Sequence, residues 1–205
     1  MQRTNTAKTR PGADLRTRRR RQTEREIHLA AITLAAERGA DHITVDDIAA
    51  RAGVSSRTFF RYFPTRDRAL VYDRLGFDDA IESLFAAHDP HRVRLADVEQ
   101  VFGRVLAEFE ADPDFDAVVD MYQIIASAPH LLATATAAAN ERADAVLATL
   151  PAAVRPRIRF MLAIAGTVLF TALTEWVESC SRDGASAAVP ALAVYRRLCG
   201  ELSAL

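Results

Sequence analysis

The sequence predicts an all-α chain: an N-terminal three-helix domain containing a helix-turn-helix, followed by a larger helical domain. Three observations carry that expectation. Apolar residues recur at three- and four-residue spacing along most of the chain, and no strand-like alternation competes with them. Pro and Gly punctuate the C-terminal half, separating the periodic stretches. The stretch over residues 44–66, TVDDIAARAGVSSRTFFRYFPTR, reads as two short helices joined by a tight turn and followed by the start of another.

Taken in order, residues 1–21 form a basic arm with few apolar side chains, expected to be disordered in the free protein. Its run Arg18, Arg19, Arg20 and Arg21 leads directly into the first helix, where it can contact phosphates or enter a minor groove. That helix is expected from Gln22 to Arg38, with Ile27, Ala30, Ala31, Leu34 and Ala35 on one face and Gly39 as its stop. Residues 22–70 then make up the three-helix domain and residues 71–205 the larger helical domain.

The second helix starts at Val45. Thr44 is placed to accept a first-turn backbone N–H, and Asp47 to answer it in a capping box. Val45, Ile48, Ala49 and Ala52 share its buried side. Gly53 stands where the chain leaves the helix in a left-handed conformation that Gly adopts without a Cβ penalty. Val54 plugs the corner, Ser55 or Ser56 caps the third helix, and Pro64 ends it. On that third helix Phe59 and Phe63 are the apolar side. Ser56, Arg57, Phe60 and Arg61 point elsewhere and offer hydroxyl and guanidinium donors suited to base edges and phosphates.

At these residues the chain resembles the DNA-binding domain of the TetR (tetracycline-repressor-like) family, through Thr44, Ile48, Ala49, Ala52, Gly53, Val54, Ser55, Thr58, Tyr62, Phe63 and Leu70. Two positions depart from the family pattern: Phe60 stands where Tyr is usual and Arg66 where Lys is usual. The resemblance spans roughly a quarter of the chain. It implies that Thr44, Tyr62 and Arg66 hold phosphates while the start of the third helix, Ser55 to Arg61 with Thr58 among them, reads bases. It also implies that residues 22–70 bind DNA and residues 71–205 bind an effector and dimerise, giving a homodimer on a palindromic operator; no cofactor is expected.

Thr65 can cap a fourth helix, expected to run from Arg66 towards Phe85 and to link the two domains. After a break at His88 to His91, helices are expected over Val98–Phe109, from Val118 to a stop before Pro129, and from there to Leu150. The helix from Arg155 to Ser181 is apolar on nearly all sides, which calls for cover on two faces. With the last helix, expected from Ala187 to Leu202, it supplies the candidate dimer interface: Phe160, Ile164, Leu192, Tyr195 and Leu198. Spare aromatic and Met side chains, Phe102, Met121, Tyr122, Phe170 and Trp176, are candidates for lining a pocket for a small, largely apolar effector.

Charge is divided along the chain. Residues 1–75 carry 16 Lys and Arg against 9 Asp and Glu, and residues 76–205 carry 10 against 18. A basic first half beside an acidic second half is expected when only the first meets a polyanion. Cys180 and Cys199 match no disulfide or zinc spacing and read as buried small hydrophobes. The uncharged run Phe160–Thr174 falls short of the ~20 residues of a bilayer-spanning helix, and no secretory leader is evident, so a cytoplasmic protein without membrane contact is expected. His88 and His91 lack partners for a metal site, and no nucleophile elbow or phosphate loop occurs, so no catalysis is expected. The reading is a sequence-specific DNA-binding transcriptional regulator, a repressor that ligand releases from its operator. The alternative is a small-molecule-binding or dimeric interaction module with a vestigial DNA-binding domain.

Overall fold

The computed structural model describes residues 11–109, 112, 114–183 and 189–204, which contain α-helices and one short 3-10 turn but no strand. The chain divides into two compact units between Ala69 and Leu70.

The first unit contains α1 (Pro11–Arg38), α2 (Val45–Arg51), α3 (Ser56–Tyr62) and the start of α4 (Arg66–Leu70). Its core is the apolar stripe of α1, Ile27, Ala31, Leu34 and Ala35, set with Ile48, Ala49 and Phe59, all at most 3% exposed. Gly39 ends α1 at φ 86°, and Gly53 turns the chain between α2 and α3 at φ 68°. The sequence reading missed His28, which is wholly buried on α1, its Nδ1–H donating to the Ala69 carbonyl at 2.8 Å. The carbonyl can only accept, which sets the ring tautomer.

Two expectations are corrected here. α1 begins at Pro11, so residues 11–21 are helical where a disordered arm was expected. Arg20 pairs with Glu24 and Gln22 with Glu26, both at 2.8 Å and one turn apart, and such pairs support a solvated helix. Residues 1–10 of the expected arm lie outside the described residues. The single helix expected from Arg66 to Phe85 is two: α4 stops at Leu70, and α5 covers Phe77–Ala87. The break is built by Gly76, at φ 80°, and by Asp73, whose carboxylate accepts from Gly76 N at 3.1 Å and Asp78 N at 2.9 Å.

The second unit continues with α6 (Leu95–Phe109), α7 (Phe115–Ser127), α8 (Pro129–Thr149), α9 (Arg155–Asp183) and α10 (Ala191–Ser203). α9 is its central helix, packed on α6, α7, α8 and α10. Arg157 anchors its start by donating to the carbonyls of Val93 at 2.7 Å and Pro90 at 2.6 Å. α10 packs over Gly103 of α6 at ordinary contact distance: a Cβ there would lie 3.7 Å from Leu192 Cδ1 and 4.0 Å from Tyr195 Cε1. By length and composition α9 would suffice to cross a bilayer, although its longest uncharged run is short. Only 39% of its apolar window is buried within the chain, so the cover this helix needs is incomplete in one copy.

Candidate nucleic-acid interface

The turn between α2 and α3 is held by local hydrogen bonds that the sequence largely dictates. Thr44 Oγ1 accepts from Asp47 N at 3.1 Å, and the Asp47 carboxylate accepts from Thr44 N at 2.9 Å and from its hydroxyl at 2.6 Å. These bonds, the hydroxyl's first, hold the Asp47 carboxyl below the usual carboxylate range. Ser55 is the cap of α3, its Oγ accepting from Thr58 N at 3.1 Å and lying 3.0 Å from Thr58 Oγ1. Ser56 instead donates to Asp46 Oδ1 at 2.6 Å, a bond that ties α3 to α2. Arg51 and Glu37 form a two-pronged pair, at 3.2 and 2.7 Å, that ties α2 to α1.

With these groups engaged, the outward side of α3 presents Arg57, Phe60 and Arg61, all exposed, while Phe59 and Phe63 are buried at 0% and 5% exposure. Phe60 stands edge-on to Phe59, with ring centroids 5.6 Å apart, so an aromatic side chain stays in the open without a hydroxyl. Tyr62 is half-buried at the end of α3 between two cations. The Arg61 guanidinium lies 5.0 Å and that of Arg20 5.8 Å from its ring. The α1 extension therefore brings Arg20, from the run Arg18–Arg21, to the side of the unit that carries Arg61 and Tyr62. Arg66 is committed inside the unit, donating to Asp67 Oδ1 at 2.9 Å and to the Ile43 carbonyl at 3.2 Å, with a quarter of its side chain exposed. It braces the segment that leads into Thr44.

The second unit separates the remaining candidates. Trp176 and Tyr122 stay together in the bundle, with Trp176 edge-on to Phe109 at 5.0 Å, Phe115 at 5.9 Å and Tyr122 at 6.4 Å, and Met121 is buried. Phe102 belongs to a different contact, edge-on to Phe77 at 5.4 Å. Phe170 is half exposed on the outer side of α9 and does not join the other aromatic candidates; helical phase puts it there, about 120° from Trp176. Phe160 is 67% exposed, Ile164 and Leu198 are half-buried, and Leu198 lines an open groove of about 290 Å³ with Thr167, Val168, Thr171, Glu201 and Leu202. Tyr195 is 1% exposed, packed inside the unit against Gly103, and Leu192 is half-buried beside it. Cys180 is buried and Cys199 half-buried, both as free thiols, with burial raising the pKa of each. Among the described residues no group of three His, Cys, Asp or Glu side chains is arranged to hold a metal ion.

Residues 27–69 match the family model described as bacterial regulatory proteins, tetR family. The chain is 29% identical over 132 residues to the HTH-type transcriptional regulator TcmR of Streptomyces glaucescens, covering 62% of this chain and 58% of that protein. It is 41% identical over 68 residues to the HTH-type transcriptional regulator EthR of Mycolicibacterium smegmatis (strain ATCC 700084 / mc(2)155), covering 29% and 30%. The match thus spans less than two thirds of either regulator. Among solved structures, the Thermus thermophilus FadR repressor in complex with lauroyl-CoA superposes with a TM-score of 0.49 at 21% identity, covering 88% of this chain and 93% of that one.

Proposed function

The first unit of this chain is a TetR-family DNA-binding domain, and from that premise we propose that the protein is a sequence-specific transcriptional repressor, released from a palindromic operator by a small, largely apolar ligand. The observation that supports this most is the capped α2–turn–α3 arrangement, in which Ser55, Ser56 and Thr58 set the backbone while Arg57, Phe60 and Arg61 stay exposed. A recognition helix entering a major groove needs such a preset frame and free side chains. Arg57 and Arg61 supply donors for guanine edges or phosphates, and Phe60 an apolar contact for a thymine methyl. Thr44, Tyr62 and the Arg18–Arg21 run supply backbone contacts, which position without specifying.

The second unit acts in this reading as the dimerisation and ligand-binding half. Support comes from the part of α9 that one copy leaves incompletely buried, where Phe160 is exposed and Ile164, like Leu198 of α10, is half-buried. A two-fold pairing along α9 and α10 buries that surface and presents two α3 helices to a two-fold operator. Ligand binding that favours one dimer geometry shifts the population away from the DNA-competent one. The protein acts in the cytoplasm and performs no catalysis.

The test is selection from a random-sequence duplex library at near-physiological salt, followed by sequencing of what is retained. An enriched palindrome supports the reading. Binding without enrichment, vanishing as salt rises, would leave only the electrostatic attraction to phosphates and refute sequence-specific regulation.

A further inference from the structure

Arg74 lies in the segment between α4 and α5, and its side chain is only 1% exposed. Nη2 is its engaged nitrogen, donating to Asp112 Oδ1 at 2.6 Å and Asp114 Oδ2 at 3.1 Å. Nε and Nη1 are buried without a hydrogen-bond partner. Folded proteins rarely leave buried donors unmatched, and a guanidinium has no neutral form in which to escape the penalty.

The surroundings restrict what can match them. Arg74 meets two carboxylates, and a second guanidinium, Arg142, stands with another two, Asp78 and its neighbour Asp73. Asp112 and Asp114 share Arg74, and Asp114 N donates to Asp112 Oδ1 at 2.8 Å. Asp78 pairs with Arg142 of α8, and Asp73 accepts from two backbone N–H groups beside it. An incoming anion would meet an excess of negative charge, and an incoming cation would leave the Arg74 donors unmatched. A neutral oxygen acceptor meets neither objection.

The apolar side of the same place is aromatic. Phe115 N donates to the Asp112 carbonyl at 3.1 Å, so the segment that holds the two carboxylates against Arg74 also holds the Phe115 ring against Trp176. Tyr122, the third ring, is on the polar side influenced by Asp73 and Arg142, and burial above all raises the pKa of its phenol, keeping it neutral.

We propose that Arg74 is the polar end of the effector site: a neutral molecule lays an apolar body against the rings of Trp176, Phe115 and Tyr122 and directs a carbonyl-type oxygen to Nε and Nη1. This rests on the reading of the chain as a ligand-responsive regulator and names the chemistry of the ligand. Arg74 is a binding residue; Asp112 and Asp114 position it.

Trp176 is the only tryptophan of the chain, so its fluorescence reports occupancy without DNA. Three probes share a phenylalkyl body: 4-phenylbutan-2-one, n-butylbenzene and 4-phenylbutanoate. The ketone is expected to bind the full-length protein ~10-fold more tightly than the hydrocarbon and the carboxylate, because it alone satisfies the buried donors without adding charge. In Arg74→Lys, which keeps a positive charge for Asp112 and Asp114 but loses the Nε and Nη1 donors, that preference is expected to disappear. Failure of every probe to bind, a ketone no tighter than the hydrocarbon, a preference for the carboxylate, or an unchanged preference in the variant would each overturn the proposal. The probe series on the unsubstituted protein stands even where the variant does not fold. Probe binding in the expected order without an enriched operator would sink the regulator reading alone, whereas an enriched operator without head-group preference would sink this site alone.

Discussion

Ser56 Oγ donates to Asp46 Oδ1 at 2.6 Å, joining the first residue of α3 to the first turn of α2. A hydroxyl that sequence offers to DNA is thus already engaged in holding the turn between the two helices. Both side chains are near solvent, which limits the bond to about 0.5–1.5 kcal/mol. Ser56→Ala and Asp46→Ala are each expected to lower the stability of the first unit by that amount. The double substitution should cost less than their sum, and denaturant titration of the four proteins in a double-mutant cycle measures the difference. Strict additivity would mean the bond contributes nothing in solution.

Arg57 and Arg20 are expected to fail differently on DNA. Arg57→Ala should cost ~1–3 kcal/mol on the selected operator and little on random duplex, because a base contact carries sequence information. Arg20 lies beside the Tyr62 ring, and phosphate is the contact proposed for it. Arg20→Ala should weaken all duplexes alike and reduce the slope of log K against log salt by ~1. Titrations at several salt concentrations separate the two, and a uniform loss for Arg57→Ala would remove it from base reading.

Asp78 makes the second unit sensitive to pH. Burial first, and then the neighbouring Asp73 charge, push its carboxyl up to about 7, outweighing the opposing pull of Arg142. An acid whose folded pKa lies above its ordinary value favours folding when protonated. Stability is therefore highest below the ordinary carboxylate range, declines as pH rises from there to about 7, and is level above it. Melting temperatures at pH 5, 6, 7 and 8 are expected to fall in that order and then flatten, and Asp78→Asn should remove most of the slope.

Phe160 is two-thirds exposed on a helix whose apolar window is only 39% buried within the chain. Phe160→Glu is expected to shift a dimer towards monomer by 10-fold or more in dissociation constant, since it places a charge in a surface that pairing would dry. Sedimentation at several concentrations reads the shift, and circular dichroism should show helix content unchanged. A dimer of equal strength would move the interface away from this part of α9.

Much of the first unit was legible in the residues themselves. Thr44 with Asp47, Ser55 before Thr58 and Gly53 between two apolar stripes are short-range patterns whose partners sit three or four residues away, so spacing alone specifies them. The same reasoning found the later helices of the second unit, because an amphipathic period survives without knowledge of what it packs against. It missed the break at Gly76, where the signal was present: a Gly three residues after an Asp that can accept its N–H. It also took the low apolar content of residues 11–21 for disorder, although α1 continues through them and the Arg20–Glu24 pair one turn apart supports the helix at their end.

What tertiary structure alone decided was which apolar and charged side chains meet. Tyr195 and Phe160 look equally suited to an interface in sequence, yet the first is packed inside the unit near Gly103 of α6 and the second is two-thirds exposed. Arg74 meets Asp112 and Asp114 across 38 and 40 residues, and Arg142 meets Asp78 from another helix. Local pattern is set by the geometry of a single helix, which the sequence carries in its spacing. Buried charge pairs and the face left open depend on how several helices close around one another, a distance-dependent outcome that no single stretch contains.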